Sequence, residues 1–265
     1  MKNIFYLLIL ILIFSGCEKV IDVDLNESDP AIVIEGNLNY NPYLNEVKIS
    51  MTSSYFDTLP TEKVSGAIVS VSSDFGGEYI FDETENGIYR SNEIRLKLGE
   101  TYHLSVEANG EKYEASSRLN PPVNIDSVKF FYQDGFSFIE SGYYVNLYLF
   151  DPPGISNYYR VKVTKNGVLQ NTIDDFFIFD DRYVDGNSIE INLFNSAFNL
   201  NDTVSVQLIS LDEGAYEYLE TFQEVVNNNP GSAAPANPNS NLSNGALGYF
   251  SAWSSDTKTF IIQEK

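Results

Sequence analysis

The chain has 265 residues, 43% of them hydrophobic and with 18 Tyr and 18 Phe, so it can bury a sizeable core and is not a disordered chain. Its 37 acidic residues against 16 Lys and Arg give a formal charge of −21, which excludes a surface built to bind nucleic acid or anionic headgroups. A single cysteine excludes an internal disulfide framework and a cysteine-rich zinc cluster.

That cysteine follows a targeting pattern. Lys2 supplies a short positive start, Ile4 to Phe14 is an unbroken apolar run, and Phe14-Ser15-Gly16-Cys17 has the form of a lipobox. A membrane-spanning helix needs roughly 20 apolar residues, and this run is much shorter. Residues 1–16 are therefore expected to be a lipoprotein signal peptide, with Cys17 acylated (palmitate or a similar chain) at the mature N-terminus. Attachment then rests on the acyl chains, whose burial contributes about 0.8 kcal/mol per CH₂.

Ile21, Val23 and Leu25 alternate with Asp22 and Asp24, the period-2 pattern of a half-buried strand. Further strands are expected at Ala31–Leu38, Glu46–Met51, Ala67–Ser72, Glu78–Asp82 and Ile88-Tyr89, separated by Pro and Gly breakers. Thr101–Ala108 and Glu111–Ser117 flank Asn109-Gly110, a dipeptide suited to the positive φ values of a type I′ hairpin turn. Residues 17–119 thus read as a membrane-proximal, immunoglobulin-like β-sandwich. Asn120-Pro121-Pro122 marks the expected boundary, and 120–265 reads as a second β-rich domain.

In that second part, strands are expected at Ile125–Tyr132, Tyr143–Phe150, Tyr158–Lys165, Ser188–Phe194 and Asp202–Ile209. The period then changes. Ala215, Leu219, Phe222 and Val226 fall on one helical face, which predicts an amphipathic helix over 212–226, with Asp212 or Ser210 as cap. A polar Pro/Asn/Ser-rich loop follows to Gly245, and Gly248–Trp253 and Thr257–Ile262 are expected as a closing strand pair. The fold class is mainly β: two sandwich-like domains, the second with one amphipathic helix and a long polar loop.

Cys17-Glu18-Lys19-Val20-Ile21-Asp22-Val23-Asp24, Ile32-Val33-Ile34-Glu35-Gly36, the Tyr158–Val163 strand and Asp180-Asp181-Arg182-Tyr183 form one set of motifs. The helix, Pro238-Asn239-Ser240-Asn241 and Gly245-Ala246-Leu247-Gly248-Tyr249-Phe250 form another. Together they resemble the domain-of-unknown-function 4249 family of Bacteroidota lipoproteins. The resemblance implies an outer-membrane setting, with the membrane face undecided, and company with TonB-dependent transporters. It implies no reaction and no catalytic residue.

His103 is the only histidine, so any Ser-His-Asp or His-metal chemistry must pass through it. The alternation puts it on the face opposite Tyr102 and Leu104, toward solvent, and no Gly-x-Ser-x-Gly elbow occurs. Asp174-Asp175, Asp180-Asp181 and Asp185-Gly186-Asn187 flank an apolar stretch but do not follow the alternate-position pattern of a calcium loop. No catalytic residue, metal or cofactor is expected. Glu213, Glu217, Glu220 and Glu224 step 4, 3 and 4 into one acidic stripe. With Pro238, Asn239 and Asn241 they are the candidate partner surface. Tyr143-Tyr144, Tyr158-Tyr159 and Trp253 are divided between core packing and a stacking platform. The expected function is non-enzymatic: a lipid-anchored accessory or recognition subunit of a TonB-dependent transporter. The alternative is a free-standing glycan- or peptide-binding lipoprotein.

Overall fold

The computed structural model describes residues 29–40, 45–53, 60–135, 140–172, 175–227 and 237–264. Cys17 and the strand expected at Ile21–Leu25 lie outside them. No described helix is long and apolar enough to cross a membrane.

Seven strands make the first unit: β1 (Ile32–Asn39), β2 (Glu46–Met51), β3 (Ile68–Ser73), β4 (Glu78–Glu85), β5 (Ile88–Arg90), β6 (Thr101–Ala108) and β7 (Glu111–Arg118). They follow the order β1-β2-β5-β4-β3-β6-β7, and the sheet folds over so that its two halves face each other. Alternate apolar residues, among them Ile34, Leu38, Val47, Val71, Leu104 and Val106, meet in one buried core. The β6–β7 hairpin turns on Asn109 (φ 53°) and Gly110 (φ 83°), both left-handed as a type I′ turn requires.

The second unit is also a sandwich. β8 (Ile125–Gln133), β9 (Gly142–Phe150) and β13 (Ser188–Phe198) form one sheet in the order β13-β9-β8. It faces β10 (Tyr158–Lys165) and β14 (Thr203–Leu211), with Val145, Leu147 and Leu149 packed in one core with Tyr159, Val161, Val204 and Val206. Two short strands that periodicity did not reveal, β11 (Val168–Gln170) and β12 (Phe177–Asp180), pair with β10. Each has too few residues for an alternation to register, and only pairing with β10 defines it.

The final strand, β15 (Leu247–Ile261), joins the two units. Leu247–Trp253 runs parallel to β1, and Ser254–Ile261 runs antiparallel to β14. The sequence suggests two strands here; the structure has one. Ser254-Ser255-Asp256 is no break because each side chain is used at the seam. Ser254 donates to Asn120 O at 2.7 Å, Ser255 Oγ accepts from Gln207 at 3.0 Å, and Asp256 accepts from the Ile125 N–H at 2.8 Å. Leu242, Ala246, Phe250 and Ala252 consequently lie in the core of the first unit, across the boundary expected at 119/120. Gly248 makes the return possible. Its φ is +95°, and a Cβ there would collide with Ile34 O.

The joint is braced on both sides. Asn120 donates to Leu211 O at 2.8 Å and the Val123 N–H donates to Ser210 Oγ at 3.2 Å, so the Pro-Pro segment is tied to β14. The helix α1 (Glu213–Val226) begins one residue inside the expected range, with Asp212 as N-cap accepting from the Ala215 N–H at 3.3 Å. Ala215 and Leu219 pack with Ile209 and Leu211 beside Trp253, forming a third small core on the outer face of the shared sheet.

Candidate functional site

The outer face of β3, β6 and β7 is a shallow concavity of about 570 Å³ lined by Ser70, Ser72, Glu78, His103, Ser105 and Ser116 among others. Register sets Ser72 opposite His103, and His103 opposite Ser116. His103 Nε2 lies 2.7 Å from Asp74 Oδ1, and Nδ1 lies 2.7 Å from Ser116 Oγ. A carboxylate only accepts, so Nε2–H faces Asp74, while Nδ1 bonds the Ser116 hydroxyl. The bond to His103 holds the Asp74 carboxyl below its usual range. Sequence spacing did not reveal this line, because Asp74 reaches His103 from a turn after β3. The side chains of His103 and Asp74 are 42% and 53% exposed. Water therefore screens the pair, whereas a working triad holds its imidazole with a buried carboxylate.

Of the expected acidic segments, the structure brings Asp181 and Asp185 to Asp151, with carboxylate oxygens within 4.8 Å of one another. Asp175 is elsewhere, accepting from the Thr172 hydroxyl, and Asp180 pairs with Arg182 at 2.7 Å. Burial pushes the Asp151 carboxyl up, against hydrogen bonds from the Tyr159 hydroxyl and the Gly186 N–H. Asp181 accepts from the Asn157 N–H at 2.9 Å and Asp185 from the Gly154 N–H at 2.7 Å. Calcium takes six to eight oxygens; these three carboxylates instead accept N–H donors of their own loops, 151–157 and 181–187.

On α1, Glu213, Glu217 and Glu224 are exposed and Glu220 is half-buried. Glu220 accepts from the Tyr216 hydroxyl at 3.1 Å and lies 3.9 Å from the Arg182 guanidinium, so a cation from another element partly offsets the stripe. The loop residues are more committed. Asn241 exchanges two hydrogen bonds with the backbone of Phe250, at 2.8 and 2.9 Å, occupying an edge of β15 that β14 does not reach. The Asn239 N–H donates to Thr221 Oγ1 at 2.9 Å, and Pro238 is half-buried. Ser243 and Asn244 bond the backbone of β7 at Glu114 and Lys112. This part of the loop covers sheet edges.

The family model of the domain of unknown function DUF4249 matches residues 18–259. This chain belongs to the DUF4249 family. No curated protein matches it. A solved structure similar to it is a segment of two fibronectin type-III domains from chicken tenascin, 12% identical, covering 89% of this chain and 95% of that one at a TM-score of 0.24.

The DUF4249 chain also has a cationic face that sequence reasoning missed. Tyr159 and Val161 point into the second core, so Arg160 and Lys162 point to the opposite face of β10, the side on which α1 lies. Tyr158, the outward ring of its pair, lies tilted against Tyr216 of the helix, with ring centroids 5.1 Å apart. The Arg160 guanidinium lies 4.6 Å from the Phe176 ring centroid and Lys162 Nζ 5.6 Å from that of Trp253. The available signal was Tyr-Tyr-Arg-Val-Lys-Val itself, whose alternation puts both cations on the face that an amphipathic helix must cover.

Proposed function

We propose that this protein is a lipid-anchored, non-enzymatic accessory or recognition subunit of the outer membrane, acting with a TonB-dependent transporter. The signal ending at Cys17 supports the anchor, and the family supports the setting. The observation that carries the partner reading is the orientation of α1. Its apolar face packs on the shared sheet, while Glu213, Glu217 and Glu224 face outward. A rigid acidic stripe steers a basic partner rim by complementary charge, an attraction that weakens with salt. The bracing across β15 would pass a load between the first unit and the helix.

The test is affinity purification from gently solubilised membranes, with wild type, Cys17→Ser and Glu217→Lys/Glu224→Lys in parallel. The reading expects a co-purifying outer-membrane barrel with the wild type. It expects loss of membrane fractionation with Cys17→Ser and at least a tenfold fall in barrel recovery with the charge-reversed pair. Full recovery with the charge-reversed pair would remove the α1 contact. A free-standing ligand-binding lipoprotein is the second reading, favoured by the cation–aromatic face of β10 and β15.

A further inference from the structure

Arg160 and Lys162 stand two residues apart on one strand, about 7 Å from each other along the backbone. In a chain with 37 acidic residues, neither makes an ion pair among the described residues. Arg160 Nε is buried with no hydrogen-bond acceptor among them, and so is the hydroxyl of Ser251, which lies between Tyr249 and Trp253 on β15. Burial lowers the Arg160 guanidinium below its ordinary value, and burial together with Arg160 pushes Lys162 down to about 8. Two desolvated like charges cost far more than two ring contacts return, since a cation over an aromatic face contributes about 0.5–2 kcal/mol.

We propose that Arg160 and Lys162 form the charged floor of a binding site for a small organic carboxylate, walled by Phe176 and Trp253. The guanidinium carbon lies 4.6 Å from the Phe176 ring centroid, and its two terminal N–H₂ groups form the fork that takes a carboxylate in a bidentate pair. Lys162 supplies a second, more mobile charge beside the Trp253 ring. The rings favour an anion with a carbon body over a bare inorganic one. The site is independent of any transporter contact, because it uses the sheet face beside α1 and not the outward glutamates.

Trp253 is the only tryptophan, so its emission reports this site alone. Full-chain protein in detergent is titrated with galacturonate and with benzoate, each against its neutral counterpart, galactose and benzamide, and with inorganic phosphate at matched ionic strength. The expected result is a saturable emission change with at least one carboxylate, at tenfold or lower concentration than its neutral counterpart or phosphate. Galacturonate alone would give the ligand a sugar body, and benzoate alone an apolar one; either supports the site. Arg160→Gln/Lys162→Met should abolish the response with the melting temperature unchanged or raised. Lys162→Met alone, a second variant at a half-buried position, should weaken it about tenfold. No saturable response to either acid overturns the proposal. So does an equal response to the neutral compounds or phosphate, or full binding by the variants.

Discussion

The hydroxyl of Ser117, at the end of β7, bonds the carboxylate of Asp212, the N-cap of α1, and accepts from the Ala252 N–H at 2.7 Å. One buried serine thus ties the first sandwich to the helix and to the strand that both units share. Asp212 is buried there, and burial pushes its carboxyl up to about 6 despite the Ser117 hydroxyl and the Ala215 N–H.

With a folded pKa near 6 and an unfolded value of about 3.9, the native state holds a proton that the unfolded chain has released between those values. Its stability contribution is therefore fullest at low pH, declines as pH rises from about 4 to about 6, and is level above. Asp212→Asn keeps a good helix cap without the charge. It should flatten this component and raise stability at pH 7.5 by up to about 3 kcal/mol. Thermal unfolding at several pH values checks it, with the wild-type-minus-variant difference isolating Asp212 from the other carboxylates. Parallel curves would sink the assignment.

Gly248→Ala should cost more than about 3 kcal/mol, because it combines left-handed strain with a backbone clash against Ile34 O. Gly110→Ala carries the same left-handed strain, but nothing lies within 4 Å of its new Cβ, so about 1 kcal/mol is expected. Urea unfolding midpoints of the two variants separate the clash from the strain.

Asn241→Ala should destabilise by about 2 kcal/mol, because the N–H and C=O of Phe250 lose the amide that satisfies them. Recovery of any membrane partner should be unchanged at temperatures where the variant is folded. A loss of partner without a loss of stability would return this residue to the interaction surface.

His103→Ala and Ser116→Ala should each change stability by less than about 0.5 kcal/mol, since the line lies on an exposed face. Neither substitution should alter the biological role, and a fluorophosphonate probe should not label Ser116. Labelling of Ser116 that disappears in His103→Ala would make this line a hydrolytic site.

Most of the strands and the helix were legible in the chain because they rest on local rules. Alternation fixes which residues of β1, β6, β9 and β14 face inward, Asn109-Gly110 dictates its turn, and a 3.6-residue spacing after a capping aspartate dictates α1. The family was legible too, from motifs spread along the whole chain. What only the tertiary structure decided depends on contacts between distant residues. That β15 is one strand serving two units follows from Ile34 meeting Gly248, Asn120 meeting Ser254 and Ile125 meeting Asp256. The assembly of Asp74, His103 and Ser116, and the placing of Arg160 near Phe176 and Lys162 near Trp253, are set by register and by the helix laid on the sheet. Periodicity along a strand says which face a side chain takes, and only the packing of other elements says whether that face meets water, a ring or another charge.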